Sequence, residues 1–399
     1  MSEEPITKQS ELLDKLTELY LAGRNAEALS LVDELVQLDP NFAFAYEIKG
    51  EILRRLGRYE DALAPLDKAI EVNPKSSFAF GTKGAVLSGL GRYSEALAAL
   101  DKAVELDPSY TFAYTTKGNA LLQIGRSEEA LNVIDRGIRS NPDNKYLWWH
   151  KGLMLVGLAR YQEALAALDK AIMLDPNFAF AYATKGDALR QIGRYEDALG
   201  LLVKAIELNP NDSFANGTKG AVLVGLGRYQ EALAALDKAI ELYPSYAFAY
   251  ATKGDALRQI GRYEDALGPL EKAIDLNPNN SFAYGIKGDV LQRLRRYDDA
   301  LAPLDKATQL APDWSFAHAS RGEILRMLGR HEEALTAADR AIQLNPTDSF
   351  AYATKGVTLR ELGRHQEAKA ALDKAIELNP EYTWAIDQRR ELLAVSERP

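Results

Sequence analysis

Four histidines, His150, His318, His331 and His365, are the only side chains of this 399-residue sequence with an ordinary pKa near neutrality, and the sequence has no cysteine. They fall in no HExxH run and no cysteine–histidine cluster, so neither a zinc site nor a metal-activated water is expected. No GxxxxGKS/T or GxSxG stretch occurs, and neighbouring carboxylates such as Glu60/Asp61 stand where a helix start favours negative charge. An enzyme, a metal and a cofactor are therefore not expected. The chemistry left is recognition. An aromatic residue recurs at Phe44, Phe78, Phe112, Tyr146, Phe180, Phe214, Phe248, Phe282, Phe316 and Phe350. Acid and arginine recur three apart at Glu51/Arg54, Asp187/Arg190, Asp255/Arg258 and Glu323/Arg326, a spacing that lets them neutralise each other on one helix face.

The elements that must position these residues show in a strict period. From Ala43 the sequence repeats every 34 residues, with glycine from Gly50 to Gly356, proline from Pro40 to Pro380 and alanine from Ala28 to Ala368 in fixed columns. Taking Ala43 as position 1, Tyr46, Gly50 and Leu53 fall at helical spacing, as do Tyr59, Ala62, Leu63, Leu66, Ala69 and Ile70. Each unit thus reads as two amphipathic helices, with Gly57 in the turn and Pro74 closing the second helix. The expected organisation is a disordered tail over 1–8, a divergent capping repeat over 9–42, ten repeats over 43–382, and a closing helix with a short tail over 383–399. The 48 basic and 57 acidic residues are spread through the repeats, a balance of −9 without a basic stripe, so nucleic acid is not an expected partner. No apolar signal core or membrane-length run appears, and a cytoplasmic protein is expected.

Two further regularities carry expectations. The residue before each glycine is lysine (arginine at Arg321), and a buried ammonium needs a partner. Asp67, Asp101, Asp135, Asp169, Asp237, Asp305 and Asp373 stand about level with it on the second helix of the same repeat, which predicts an intra-repeat ion pair. By that reading Lys185, whose repeat carries Val203, lacks a partner. The residue closing each repeat alternates between aromatic and polar, from Phe42, Ser76, Tyr110 and Asn144 to Asp348 and Tyr382. Residues 179–200 and 247–268 are identical, so the chain grew by pairs of repeats. The alternation is either duplication history or a two-repeat footprint for a partner.

The run Tyr46-x2-Lys49-Gly50-x2-Leu53, Gly57-x-Tyr59-x2-Ala62-x3-Leu66-x2-Ala69 and Pro74 resembles the tetratricopeptide repeat (TPR), over about residues 9–382 and about eleven copies. The lysine before the glycine departs from that family's usual leucine. The resemblance implies an all-α, right-handed superhelical solenoid of antiparallel helix pairs. It further implies that first-helix positions 2, 5, 6, 9, 12 and 13 line a groove that takes a peptide or protein.

On that face the candidate binding residues are Phe112, Asn119, Leu122, Tyr146, Trp149, His150, Leu153, Phe180, Asp187, Arg190, Phe248, Asp255 and Arg258. Trp149, His150 and Leu153 replace the small or polar residues of other repeats and make an apolar patch near mid-chain. Trp149 is either an open anchor or folded onto a neighbouring helix. The aromatics at position 2 are either a ligand ladder or packing between first helices. Ser127, Gly137 and Ser140 thin the packing just before the patch and suggest a joint there. The function expected is a scaffold or adaptor for an unidentified protein or peptide. The alternatives are self-association through a terminal helix bearing Trp384 and Leu392, and a regulatory subunit of a separate enzyme.

Overall fold

The computed structural model describes residues 3–396 of the chain, and among them there are helices and no strands. Two compact units, residues 1–188 and 189–399, divide the chain. In the first, first helices α1 (Glu3–Leu21), α3 (Ala43–Arg55), α5 (Ser77–Gly89), α7 (Thr111–Gln123) and α9 (Lys145–Gly157) alternate with second helices. These are α2 (Asn25–Leu38), α4 (Tyr59–Val72), α6 (Tyr93–Leu106), α8 (Ser127–Ser140) and α10 (Tyr161–Leu174). Helix α11 (Ala179–Gln191) crosses the boundary. In the second unit the first helices are α13 (Ser213–Gly225), α15 (Ala247–Gln259), α17 (Ser281–Arg293), α19 (Ser315–Met327), α21 (Ser349–Glu361) and α23 (Thr383–Ser396). Their second helices are α12 (Tyr195–Leu208), α14 (Tyr229–Leu242), α16 (Tyr263–Leu276), α18 (Tyr297–Leu310), α20 (His331–Leu344) and α22 (His365–Leu378). Helix α1 starts at Glu3, inside the stretch expected to be a tail; Met1 and Ser2 lie outside the described residues.

Glycine has two separate uses. At the turn, Gly57 and its equivalents hold φ of 71–77°, a left-handed conformation in which a Cβ is strained. Ala159 and Arg295 take the same conformation without glycine, at φ 57° and 59°. In the first helix, glycine admits a leucine from its own repeat's second helix: a Cβ on Gly254 would stand 2.5 Å from Leu270 Cγ, and one on Gly220 2.5 Å from Leu236 Cγ. The alanine column, Ala62 and Ala266 among them, is fully buried beside these crossings.

The lysine pairs exist, but with a different partner from the one the sequence suggests. Lys49 meets Asp33 at 2.6 Å, Lys83 meets Asp67 at 2.6 Å and Lys355 meets Asp339 at 2.6 Å, in each case the acid of the preceding repeat. Lys117–Asp101, Lys185–Asp169 and Arg389–Asp373 follow the same rule. Since the glycine faces its own second helix, the residue before it is turned about 100° away, toward the previous one. The pairs therefore tie repeat to repeat. The gap moves accordingly: Lys185 is paired, and Lys219 is the lysine whose place sixteen residues earlier holds Val203 in place of an acid.

Candidate functional site

The alternating closing residues have two structural jobs. Ser76, Asn144, Asp212, Asn280 and Asp348 cap the next first helix, their side chains accepting from backbone N–H groups such as those of Ala79, Leu147, Ala215, Ala283 and Ala351. Phe42, Tyr110, Tyr246 and Trp314 stand in the same place and make no side-chain cap. Their rings instead lie over the preceding first helix. A Cβ on Gly81 would stand 2.6 Å from Tyr110, and one on Gly217 2.6 Å from Tyr246, so the small residue at position 5 is a seat for a ring. Each ring also touches the next position-2 aromatic: Tyr110–Phe112 at 5.9 Å, Tyr246–Phe248 at 5.8 Å, Trp314–Phe316 at 5.4 Å. The polar members carry a helix-cap signal readable from their residue types alone.

In the first unit the apolar patch is assembled as rings. Trp149 is half-buried; its Nε1 donates to Thr184 Oγ1 at 2.9 Å, and its ring lies 5.8 Å from Phe178 and 5.6 Å from Phe180. Trp149 thus leans onto α11. Tyr146 and Phe180 remain 48% exposed, Leu153 is exposed, Leu122 is half-buried and Asn119 is open to solvent. His150 lies against Trp149 at 4.8 Å with its ring tilted by 56°, and burial lowers its pKa; its Nδ1 is buried without a hydrogen bond. Farther up the unit, Glu51 receives Arg54 and Arg55, and the Arg54 guanidinium lies over the Phe112 ring at 5.7 Å. Burial, with Glu51 beside it, pushes the Tyr110 hydroxyl up to about 12.

The thinned packing before the patch is local. Helix α8 packs less extensively on α7 than α4, α6 and α10 do on the first helices of their own repeats, and less on α9 than α2, α4 and α6 do on the first helices that follow them. Tyr114 turns in over Gly137 and is only 4% exposed, joining an apolar cluster continuous from Leu100 to Ala167.

In the second unit the face is hollowed between both polar and apolar side chains. A cavity of about 620 Å³ is bordered by Arg190, Val224, Phe248, Thr252, Asp255 and Phe282, within the range of small-ligand pockets. Arg190 lies over Phe248 at 5.7 Å, the arrangement seen for Arg54 and Phe112. Asp187 and Arg190 are both half-buried and engaged. Arg258 is held between Asp255 at 2.6 Å and Asp289 at 3.1 Å, two carboxylates that are 8% and 4% exposed. Its charge is consumed by the fold. Asp289, an acid at position 9 where Ala221 and Val357 stand in other repeats, completes this network. A further cavity of about 430 Å³ is lined by Arg293, Glu323, Met327, Phe350, Tyr382 and Trp384, where Glu323 belongs to the acid–arginine pairs, Phe350 to the aromatic column and Trp384 to the terminal helix. No group of side chains among the described residues could hold a metal ion, and no described helix is long and apolar enough to cross a membrane.

Sequence profiles described as tetratricopeptide repeat match residues 13–77, 115–181, 183–247, 218–281, 251–314 and 287–349, and further ones match 79–110 and 349–382. No curated protein sequence matches the chain. Among solved structures, the crystal structure of the APC/C hetero-tetramer Cut9–Hcn1 is similar at a TM-score of 0.60 and 12% identity, covering 98% of this chain and 97% of that one. That likeness is one of fold. Yeast Tom70 gives a TM-score of 0.42 at 15% identity over 97% of this chain and 95% of that one. YrrB, described as a TPR protein with an unusual peptide-binding site, gives 0.40 at 29% over 47% of this chain and 97% of that one. Neither of these two superposes closely. With the repeat profiles tiling nearly all of its length over successive helix pairs, the chain belongs to the tetratricopeptide-repeat family.

Proposed function

We propose that this chain is a non-enzymatic scaffold or adaptor that holds an extended peptide segment of a protein partner against its first-helix face. The observation that carries the reading is the cavity of about 620 Å³ bordered by Phe248 and Phe282, with the small residues Ala221, Ala251 and Thr252 leaving room for a backbone. Its charges are already paired, so the rim offers hydrogen bonds and ring faces more than net charge, and a segment with spaced apolar side chains suits it. Phe112, Tyr146, Trp149, Leu153 and Phe180 would form a second, more apolar station. Scaffold use is typical of the family, and a cysteine-free chain suits a reducing, cytoplasmic setting.

The experiment is selection of peptides from a displayed library on the full chain, followed by titration of the best binder against Phe248→Ala and Trp149→Ala. Each variant should weaken binding about tenfold, as loss of a covered aromatic anchor does. Unchanged affinity in both would end the proposal. Self-association through the terminal helix has less support: Leu392 is 2% exposed, and Trp384 is engaged with Tyr382 and Phe350 at 5.9 and 6.3 Å.

A further inference from the structure

The row of bases on the second helices loses its glutamate partner in several repeats, as at Lys306 with Gln309 and Arg340 with Gln343, but only in the fourth repeat does a second base stand in the partner's place. At position 26 Lys68, Lys102, Lys204, Lys238 and Lys374 each pair with a glutamate three residues on, at 2.7, 2.7, 3.4, 3.0 and 2.6 Å. In the fourth repeat the base is Arg136 and the residue three on is Arg139; in the fifth they are Lys170 and Met173. Among the described residues Arg136, Arg139 and Lys170 make no ion pair. The acids nearby are committed elsewhere: Asp135 to Lys151 at 2.7 Å and Glu128 to Arg160 at 2.9 Å. Asp143, beyond the end of α8, reaches neither arginine. A chain of net charge −9 thus carries an unneutralised basic face on one helix.

That face borders a cavity. A volume of about 580 Å³ lies between α6 and α8, with Ser94, Asn132 and Arg136 among its polar walls and Leu97, Leu121 and Val133 as its apolar ones. The other charges lining it cancel as Lys117–Asp101 and Arg126–Glu129, which leaves Arg136 as the surplus. Partial enclosure by apolar walls strengthens a charge-assisted hydrogen bond there.

We propose that the outer face of α8 docks an acidic segment of a protein partner, one carboxylate entering this cavity to meet Arg136 and Asn132 and a second meeting Arg139. This surface is separate from the first-helix cavity of the second unit and does not depend on it.

The test titrates a fluorescein-labelled octaglutamate peptide against the full chain at low salt and at about 0.15 M salt, where surface charges are screened beyond roughly 8 Å. Arg139→Glu restores to the fourth repeat the base–glutamate pair that other repeats carry, so it should fold as they do. It should weaken peptide binding about tenfold while leaving the urea midpoint unchanged or raised. Lys238→Gln, on a repeat whose pair is intact, should leave binding within about twofold of wild type. No binding at low salt would overturn the proposal, as would equal affinity in Arg139→Glu or an equal loss in Lys238→Gln. Displacement of the peptide by inorganic phosphate more readily than by free glutamate would assign the cavity to phosphate and overturn it too.

Discussion

Around α9 the first-helix face is made of rings, with Trp149 leaning on Phe178 and Phe180 and donating to Thr184. Around α15 it is made of charges, with Arg258 clasped by Asp255 and Asp289 and Arg190 laid over Phe248. The two stretches share one 34-residue template. The difference lies at positions 5, 6, 9 and 12, which the helix crossing does not use; glycine at 8, alanine at 20 and the second-helix leucine carry that crossing. A repeat can thus change what its face displays without changing how its own two helices cross. The crossing in α9 is the same as in α15, Leu168 Cγ standing 2.5 Å from a Cβ built on Gly152, and the exception lies one repeat earlier, in α7. Gly254 is closed by Leu270, whereas Gly118 is closed by the Met154 methyl, 2.6 Å from a built Cβ.

The largest expected effect separates the charged face from the ringed one. Arg258→Met leaves buried Asp255 without its cation and Asp289 with only the longer contact to Arg293 at 3.6 Å, and should destabilise the protein by about 3 kcal/mol. Trp149→Thr, which gives α9 the residue type common one position on, removes a half-buried ring and should cost about 1–2 kcal/mol. Urea unfolding of each variant measures both; equal costs would mean that the charge network adds nothing beyond packing.

Next in size is the crossing glycine. Gly254→Ala forces Leu270 from a fully buried position and should cost about 1–3 kcal/mol despite the better helix propensity of alanine. Gly118→Ala meets the flexible end of a methionine and should cost less than about 1 kcal/mol. If the α7–α9 variant is the more damaged of the two, the looser packing assigned to that stretch is wrong. By contrast, the turns that lack glycine should behave alike in both units. Ala159→Gly and Arg295→Gly each relieve a left-handed residue and should raise stability by about 1 kcal/mol.

How much of this was legible beforehand follows the same division. The columns at Gly50, Ala62 and Pro74 prescribe helix pairs because a 34-residue period with helical spacing inside it admits few other solutions. Lys83 shows where the sequence stops: Asp67 and Asp101 are nearly equidistant along the chain, and only the packing of second helices decides for Asp67. The pairing of Asp255 with Arg258 was visible from their spacing, but Asp289 reaches Arg258 from the next first helix, which no helical phase within a repeat reveals. Arg136 and Arg139 went unremarked because a charged pair on an outer face looks ordinary until the pairing of its equivalents is known.

The smallest effect is a pH dependence confined to the ringed stretch. Burial beside Trp149 lowers the His150 pKa below its ordinary 6.5, and the imidazole has no partner for Nδ1. The unfolded chain therefore takes up a proton near pH 6.5 while the folded chain does so only at lower pH. Above that value the contribution is fully present; as the pH falls below it, the folded state binds fewer protons than the unfolded state and stability declines. His150→Thr gives α9 the residue that α15 carries as Thr252 and should flatten the acid side of the stability profile. His318, also lowered by burial, remains in both proteins and contributes to the residual slope. Urea midpoints of wild type and His150→Thr between pH 5 and 7.5, roughly the span in which histidine titrates, should diverge only on the acid side. Parallel profiles would mean that His150 titrates as freely folded as unfolded, and that the ring cluster does not exclude water.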